Sequence, residues 1–217
     1  MYTAQDWKLK YRPTTLDYVI LPGYVRKKLE GFKSGNLIQN WLFYGPPGAG
    51  KTTCSLLLRD LEYDTYFINC SQTSSIDDIR KLEQIGSSVT MTGNRRLFVL
   101  DEAEKLSKEA MKSLRGVIEH LSVANDFILT ANDITKIDKA VLSRLNEINF
   151  DYEKDGNIYL QIRNRLTQIL ELEGFEIDDD IDFELDLLLN TIIDSKLPID
   201  IRRLIGKLQI LSYDWNN

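Results

Sequence analysis

The residues best equipped for chemistry sit in one short run. Trp41-Leu42-Phe43-Tyr44 is apolar and strand-like. It leads directly into Gly45-Pro46-Pro47-Gly48-Ala49-Gly50-Lys51-Thr52-Thr53, a G-x-x-x-x-G-K-T pattern. Between a strand and a helix of apolar periodicity (Cys54, Leu56, Leu57, Leu58, Leu61), that spacing marks a loop that cradles nucleotide phosphates. Glycines at 45, 48 and 50 let the backbone bend around clustered negative charge with no Cβ in the way. The freed N–H groups form an anion nest, and a helix starting near Lys51 adds the positive end of its dipole. Lys51 is placed to reach the β- and γ-phosphates, and the Thr52 hydroxyl to ligate Mg²⁺. The expected ligands are therefore a nucleoside triphosphate and Mg²⁺.

A second constellation follows about fifty residues later. Arg96-Leu97-Phe98-Val99-Leu100 is an apolar strand that ends in Asp101-Glu102. Beside a phosphate loop, the first carboxylate suits Mg²⁺, and the second can orient and polarise the water that attacks the γ-phosphate. Asn132 ends the run Phe127-Ile128-Leu129-Thr130-Ala131. Its amide could hold the attacking water or read the γ-phosphate, or simply form a turn with Asp133. Arg144, in Ser143-Arg144-Leu145, could reach a neighbour's γ-phosphate or close a surface ion pair.

These groups need a scaffold that brings strand ends together. Strand-like runs fall at 41–44, 65–69, 96–100, 127–131 and 147–150, with helical periodicity at 24–33, 52–61, 76–85 and 108–121. Alternation with short connections predicts an α/β fold, a five-stranded parallel sheet with helices on both faces. Beyond 151–155 the pattern changes to three helices, about 156–173, 181–194 and 199–213. The expected division is a core over 1–152 and a small all-helical lid over 153–217.

Composition narrows the classes. The chain has 217 residues and net charge −6, unevenly spread: residues 1–150 carry 20 Lys and Arg against 18 Asp and Glu, and residues 151–217 carry 7 against 15. A local basic patch on the first part stays compatible with nucleic acid, whereas the acidic end does not suit that surface. No apolar run approaches the ~18 residues of a membrane span. The charged start, MYTAQDWKLKYRP, lacks a signal core, which points to the cytoplasm. Cys54 and Cys70 read as small buried hydrophobes, and the lone His120 as a surface or capping residue.

The chain resembles the AAA+ ATPases and, within them, the sliding-clamp loader subunits. Trp7-x-x-Lys10-Tyr11-Arg12-Pro13 is similar to the family's N-terminal box. The loop at 45–53 looks like its Walker A segment, and Asp101-Glu102-Ala103-Glu104 like its Walker B. Asn132 falls at the sensor 1 position, Ser143-Arg144 at the arginine-finger motif, and Asp200-Ile201-Arg202-Arg203 at the start of the sensor 2 helix, with Leu208-Gln209 extending the match. Val19-Ile20-Leu21-Pro22, the short acidic lid and Pro198-x-x-x-Arg202-x-x-Ile205-Gly206 look closest to the ATPase subunit of T4-type phage clamp loaders, for which the cytoplasm is the bacterial host's.

The resemblance implies an ATPase of an oligomeric ring, assembled with like and unlike subunits, that opens a sliding clamp and places it on primer–template DNA during replication. It implies Tyr11, Arg12 and Pro13 near the adenine and ribose, Arg144 acting on the neighbouring subunit's ATP, and Arg202 on the γ-phosphate in cis. Phosphate-backbone contacts to DNA fall to Arg80, Ser107, Lys108 and Arg115, with an ordinary solvated helix face as the competing reading, preferred for Lys108. Clamp contact falls around 89–94. Three departures stand out. The family's Ser-Arg-Cys is Ser-Arg-Leu here. Met111 replaces a glutamine held to couple DNA to the ATP site. The chain also stops after the lid, where such subunits usually carry a collar domain. Competing functions are another AAA+ replication remodeller, such as a helicase loader, and a subunit that binds ATP as structural glue without turning it over.

Overall fold

The structure, a computed structural model, describes residues 5–33, 40–58, 64–88, 95–152, 156–193 and 198–215. The chain divides into two compact units. One comprises Tyr24–Gly45 and Lys51–Phe150; the other comprises Met1–Gly23, Pro46–Gly50 and Asp151–Asn217.

The first unit is built on five parallel strands: β1 (Trp41–Tyr44), β2 (Asp64–Asn69), β3 (Arg96–Asp101), β4 (Asn125–Ala131) and β5 (Asn146–Asn149). Their spatial order is β2-β3-β4-β1-β5. β4 therefore lies between β1 and β3, pairing Leu42 with Leu129 on one side and Val99 with Ile128 on the other. Every residue of β3 and β4 is buried, whereas β2 and β5 are more open, as central and edge strands of a sheet covered on both faces should be. The exposed Asn146, Glu147 and Asn149 keep the β5 edge polar.

Helices of this unit are Gly23–Lys33, Lys51–Leu57, Ile76–Ser87, Lys108–Leu121 and the short Lys139–Leu142, numbered α2 to α6 after α1 (Trp7–Lys10) of the other unit. α4 begins with a capping box between Ser75 and Asp78. α5 begins with Ser107, whose hydroxyl accepts from the Ala110 N–H. α4 and α5 pack closely at Gly86, where a Cβ would stand 2.3 Å from Leu121. Phe98 stacks between Tyr66 and Phe127 in the centre of the core. Cys54 and Cys70 are both buried free thiols, and burial pushes each up to about 12.

The second unit holds α1, α7 (Gly156–Leu172), α8 (Asp179–Ile193) and α9 (Ile201–Trp215) around one apolar cluster. The sequence reading put the first 23 residues with the α/β core. In the structure Trp7, Tyr11 and Ile20 are buried among Ile158, Ile162, Leu166 and Leu208 instead, because the aromatic N-terminal box finds its apolar partners on these helices. Gln209 holds the arrangement, accepting from the Trp7 N–H at 3.1 Å and donating to the Gln5 carbonyl at 3.2 Å. Among the described residues no helix is long and apolar enough to cross a membrane.

Candidate functional site

The strand order assembles the site. Inserting β4 between β1 and β3 brings the ends of all three strands side by side. The loop after β1 carries Lys51, the end of β3 carries Asp101 and Glu102, and the end of β4 carries Thr130 and Asn132. Ligands of open α/β sheets bind at such carboxyl ends.

The loop has the expected backbone. Gly45, Gly48 and Gly50 take φ of 139°, 76° and 96°, values that L side chains rarely adopt. Gly48 also meets a side chain: a Cβ there would stand 1.9 Å from Oδ1 of Asp200. That Asp200 oxygen accepts from the Arg203 N–H at 2.9 Å, capping α9, so the helix start lies against Pro46–Gly50 within their shared unit. Arg202, in the first turn of α9, is exposed. Pro46, Pro47, Ala49 and Thr53 complete the loop and the start of α3, with Ala49 buried.

Lys51 is buried, and its ammonium donates to the Gly45 carbonyl at 2.7 Å and to Oδ1 of Asn132 at 2.9 Å. Thr52 donates its hydroxyl to Oδ1 of Asp101 at 2.7 Å. Two hard oxygen donors in contact beside an anion-binding loop fit Mg²⁺, which takes few protein ligands and completes its shell with phosphates and water. Lys51, aimed into a glycine-lined loop, fits a polyphosphate.

Glu102 is the one described non-glycine residue with positive φ, 55°. That left-handed backbone costs on the order of 1–3 kcal/mol and persists only where its surroundings hold it. Here the Glu102 N–H donates to the Thr130 hydroxyl at 3.0 Å, and its carboxylate accepts from the Ser71 hydroxyl. Thr130 in turn donates to Oδ1 of Asp101 at 2.7 Å. Glu104 accepts at one oxygen from both the N–H and the side-chain amide of Asn132, at 3.1 and 2.9 Å. The Asn132 amide thus turns its oxygen toward Lys51. Burial raises the Cys70 thiol, and the carboxylates of Asp101, Glu104 and Glu102 raise it further, which registers the negative field at this edge.

Other expected residues lie elsewhere. Arg144 donates to the Ala140 carbonyl at 2.6 Å and pairs with Glu119 of α5 at 2.7 Å, so within its own chain it closes the surface ion pair that its sequence position also allowed. Tyr11 is buried in the helical cluster, packed edge-on against Trp7. Its hydroxyl donates to Glu173 at 2.6 Å, beside Lys10 at 2.7 Å from the same oxygen. The ring is thereby committed to packing. Arg12 is exposed and Pro13 partly buried. Arg80 pairs with Asp77 at 2.9 Å on the exposed face of α4. Lys108 and Arg115 are exposed, while Ser107 serves as a cap. Met111 is buried in the main core cluster. The region 89–94 lies outside the described residues.

Thr130, Ser71 and Glu119 carried no role in the sequence reading. Thr130 had a usable signal, since it lies near the carboxyl end of a strand-like run that stops beside Asn132, where such sheets place their ligands. Ser71 had none, because its approach to Glu102 depends on β2 lying beside β3.

A phosphate loop, an acid pair and a polar strand end on a β2-β3-β4-β1-β5 sheet define a P-loop nucleotide-binding fold. Residues 41–152 match the family described as ATPase family associated with various cellular activities (AAA), and the chain belongs to that family. It is 35% identical over 214 residues to replication factor C small subunit 2 of Pyrobaculum islandicum, covering 94% of this chain and 62% of that protein. It is 34% identical over 189 residues to the replication factor C small subunit of Archaeoglobus fulgidus, covering 83% and 58%. The chain thus spans somewhat less than two thirds of these relatives. In fold it is similar to the Thermotoga maritima RuvB Holliday junction branch migration motor, with a TM-score of 0.62 at 18% identity, covering 93% of this chain and 72% of that one.

Proposed function

We propose that this chain is an ATPase subunit of a sliding-clamp loader, binding and hydrolysing ATP with Mg²⁺ to open a clamp and place it on primer–template DNA. The observation that carries the ATPase reading is the convergence of Lys51, Asp101, Glu102 and Asn132 at one sheet edge, with Thr52 already in contact with Asp101. The replication factor C relatives support the clamp-loader role.

In this reading Lys51 and the loop N–H groups hold the polyphosphate, and Thr52 and Asp101 hold Mg²⁺, which neutralises phosphate charge when bound. Glu102 accepts a proton from the attacking water, and Asn132 fixes that water's neighbourhood. Arg202 reaches the γ-phosphate from the start of α9. Arg144 leaves Glu119 to serve the ATP of an adjacent subunit. Tyr11, Arg12 and Pro13 line the adenine side through backbone and the exposed guanidinium. Arg80, Ser107, Lys108 and Arg115 face DNA phosphates, an interaction that weakens as salt rises. Kinship to T4-type phage loaders is also part of this reading, supported by Val19-Ile20-Leu21-Pro22 and the Pro198 to Gly206 pattern.

The test is turnover with clamp and primed DNA present. Stimulated ATP hydrolysis is expected, and Arg144→Ala mixed into wild-type assemblies should reduce it by about 10³-fold at the affected interfaces. Unchanged stimulated turnover in Arg144→Ala refutes the in-trans role. Failure to capture a sliding clamp in the presence of ATP moves the assignment to another AAA+ replication remodeller.

A further inference from the structure

Thr130 belongs to none of the motifs above, yet it touches both halves of the acid pair. It is 1% exposed, and its hydroxyl makes two directed hydrogen bonds. It donates to Oδ1 of Asp101 at 2.7 Å and accepts from the Glu102 N–H at 3.0 Å. The Asp101 oxygen it touches is the one that also accepts from Thr52 at 2.7 Å. Glu102 sits in the left-handed region at φ 55°, where a residue with a Cβ stays only if something holds its backbone. Just past the end of β4, Asn132 meets the ammonium of Lys51. One strand end thus serves the phosphate-binding lysine at one position and the acid pair at the other.

We propose that Thr130 is a positioning residue that sets the Asp101 carboxylate for Mg²⁺ and holds the strained Glu102 backbone, so that both acids are aimed before nucleotide arrives. The proposal rests on the reading of Asp101 and Thr52 as Mg²⁺ ligands. A valine at 130 has nearly the same shape but removes both bonds and leaves the Glu102 N–H without its acceptor. A serine keeps the hydroxyl and loses only a methyl group.

The experiment uses the full chain, a fluorescent ATP analogue, and titrations in EDTA and in Mg²⁺. Wild type should bind the analogue more tightly with Mg²⁺. Thr130→Val should match wild type in EDTA within about twofold but lose about tenfold of the Mg²⁺-dependent tightening, the scale of a hydrogen bond to a charged group. Thr130→Ser should restore it. Equal Mg²⁺-dependent tightening in wild type and Thr130→Val overturns the proposal. So does a Thr130→Ser variant as impaired as valine, or a Thr130→Val that binds no analogue even in EDTA, since packing then explains the site. A wild type with no Mg²⁺ effect refutes the metal reading of Asp101 itself, an outcome separable from equality between wild type and variant.

Discussion

The sheet edge and the helical unit use charged residues in opposite ways. At the ends of β1, β3 and β4, Lys51, Asp101, Glu102 and Asn132 are each hydrogen-bonded to a neighbouring segment, and β3 and β4 are buried throughout. In the helical unit Asp200 caps α9 and Arg202 is exposed in the next turn, while Glu173 is spent on Tyr11 and Lys10. Parallel register fixes the first set before any ligand arrives. In the second set the helix start is fixed by its cap, while the Arg202 side chain is exposed. Chemistry that tolerates little misplacement is best held where the backbone decides geometry.

The largest expected effect breaks the sheet edge alone. Glu102→Gln should lower single-turnover ATP cleavage by at least about 10²-fold, the range for losing a general base, with nucleotide affinity little changed. Persistent cleavage at the wild-type rate would move the base elsewhere and remove the reason for the strained backbone at 102. The next effect isolates the helical unit. Arg202→Ala should weaken ATP binding by about tenfold while leaving ADP binding nearly unchanged, the scale of a charge-assisted hydrogen bond. Equal loss for both nucleotides would show that the residue does not read the γ-phosphate.

The smallest effect separates the two units by pH. Burial alone would raise the Glu173 carboxyl, but hydrogen bonds from Lys10 and Tyr11 more than offset it and hold the group below its ordinary value. A depressed carboxyl contributes stability above its unfolded value, ~4.3, and that contribution is lost as pH falls through the lower folded value. The helical unit should therefore loosen in acid below about pH 4.3, and Glu173→Gln should flatten that dependence. Fluorescence of Trp7 and Trp215 follows the helical unit and that of Trp41 the sheet, so a shift confined to the first two keeps the units distinct.

Much of the architecture was readable from periodicity. The strand runs at 41–44, 65–69, 96–100 and 127–131 match β1 to β4 within two residues, and α5 spans Lys108–Leu121 as expected. The buried strands are long apolar runs and α5 has a capping serine, so local pattern and tertiary need agree there. The one-turn helices Trp7–Lys10 and Lys139–Leu142 were missed, being too short to show a period. The N-terminal box was assigned to the wrong unit because its composition says that Trp7 and Tyr11 want burial but not against what. Arg144 shows the same limit. Sequence left an ion pair and a finger both open, and the fold supplies Glu119 as the partner within the chain.

The sequence by itself determined the chemistry on offer: a glycine loop that must bend around phosphate, a lysine and a threonine to meet it, and two carboxylates at a strand end. These are properties of residue type and spacing, and they survive any arrangement of the rest. Only the tertiary structure decided which groups touch. Placing β4 between β1 and β3 is a non-local choice, made by burial of both sheet faces. It gave Lys51 its amide and Asp101 and Glu102 their shared threonine; in the other unit, apolar packing on the helices decided where Trp7 and Tyr11 are buried.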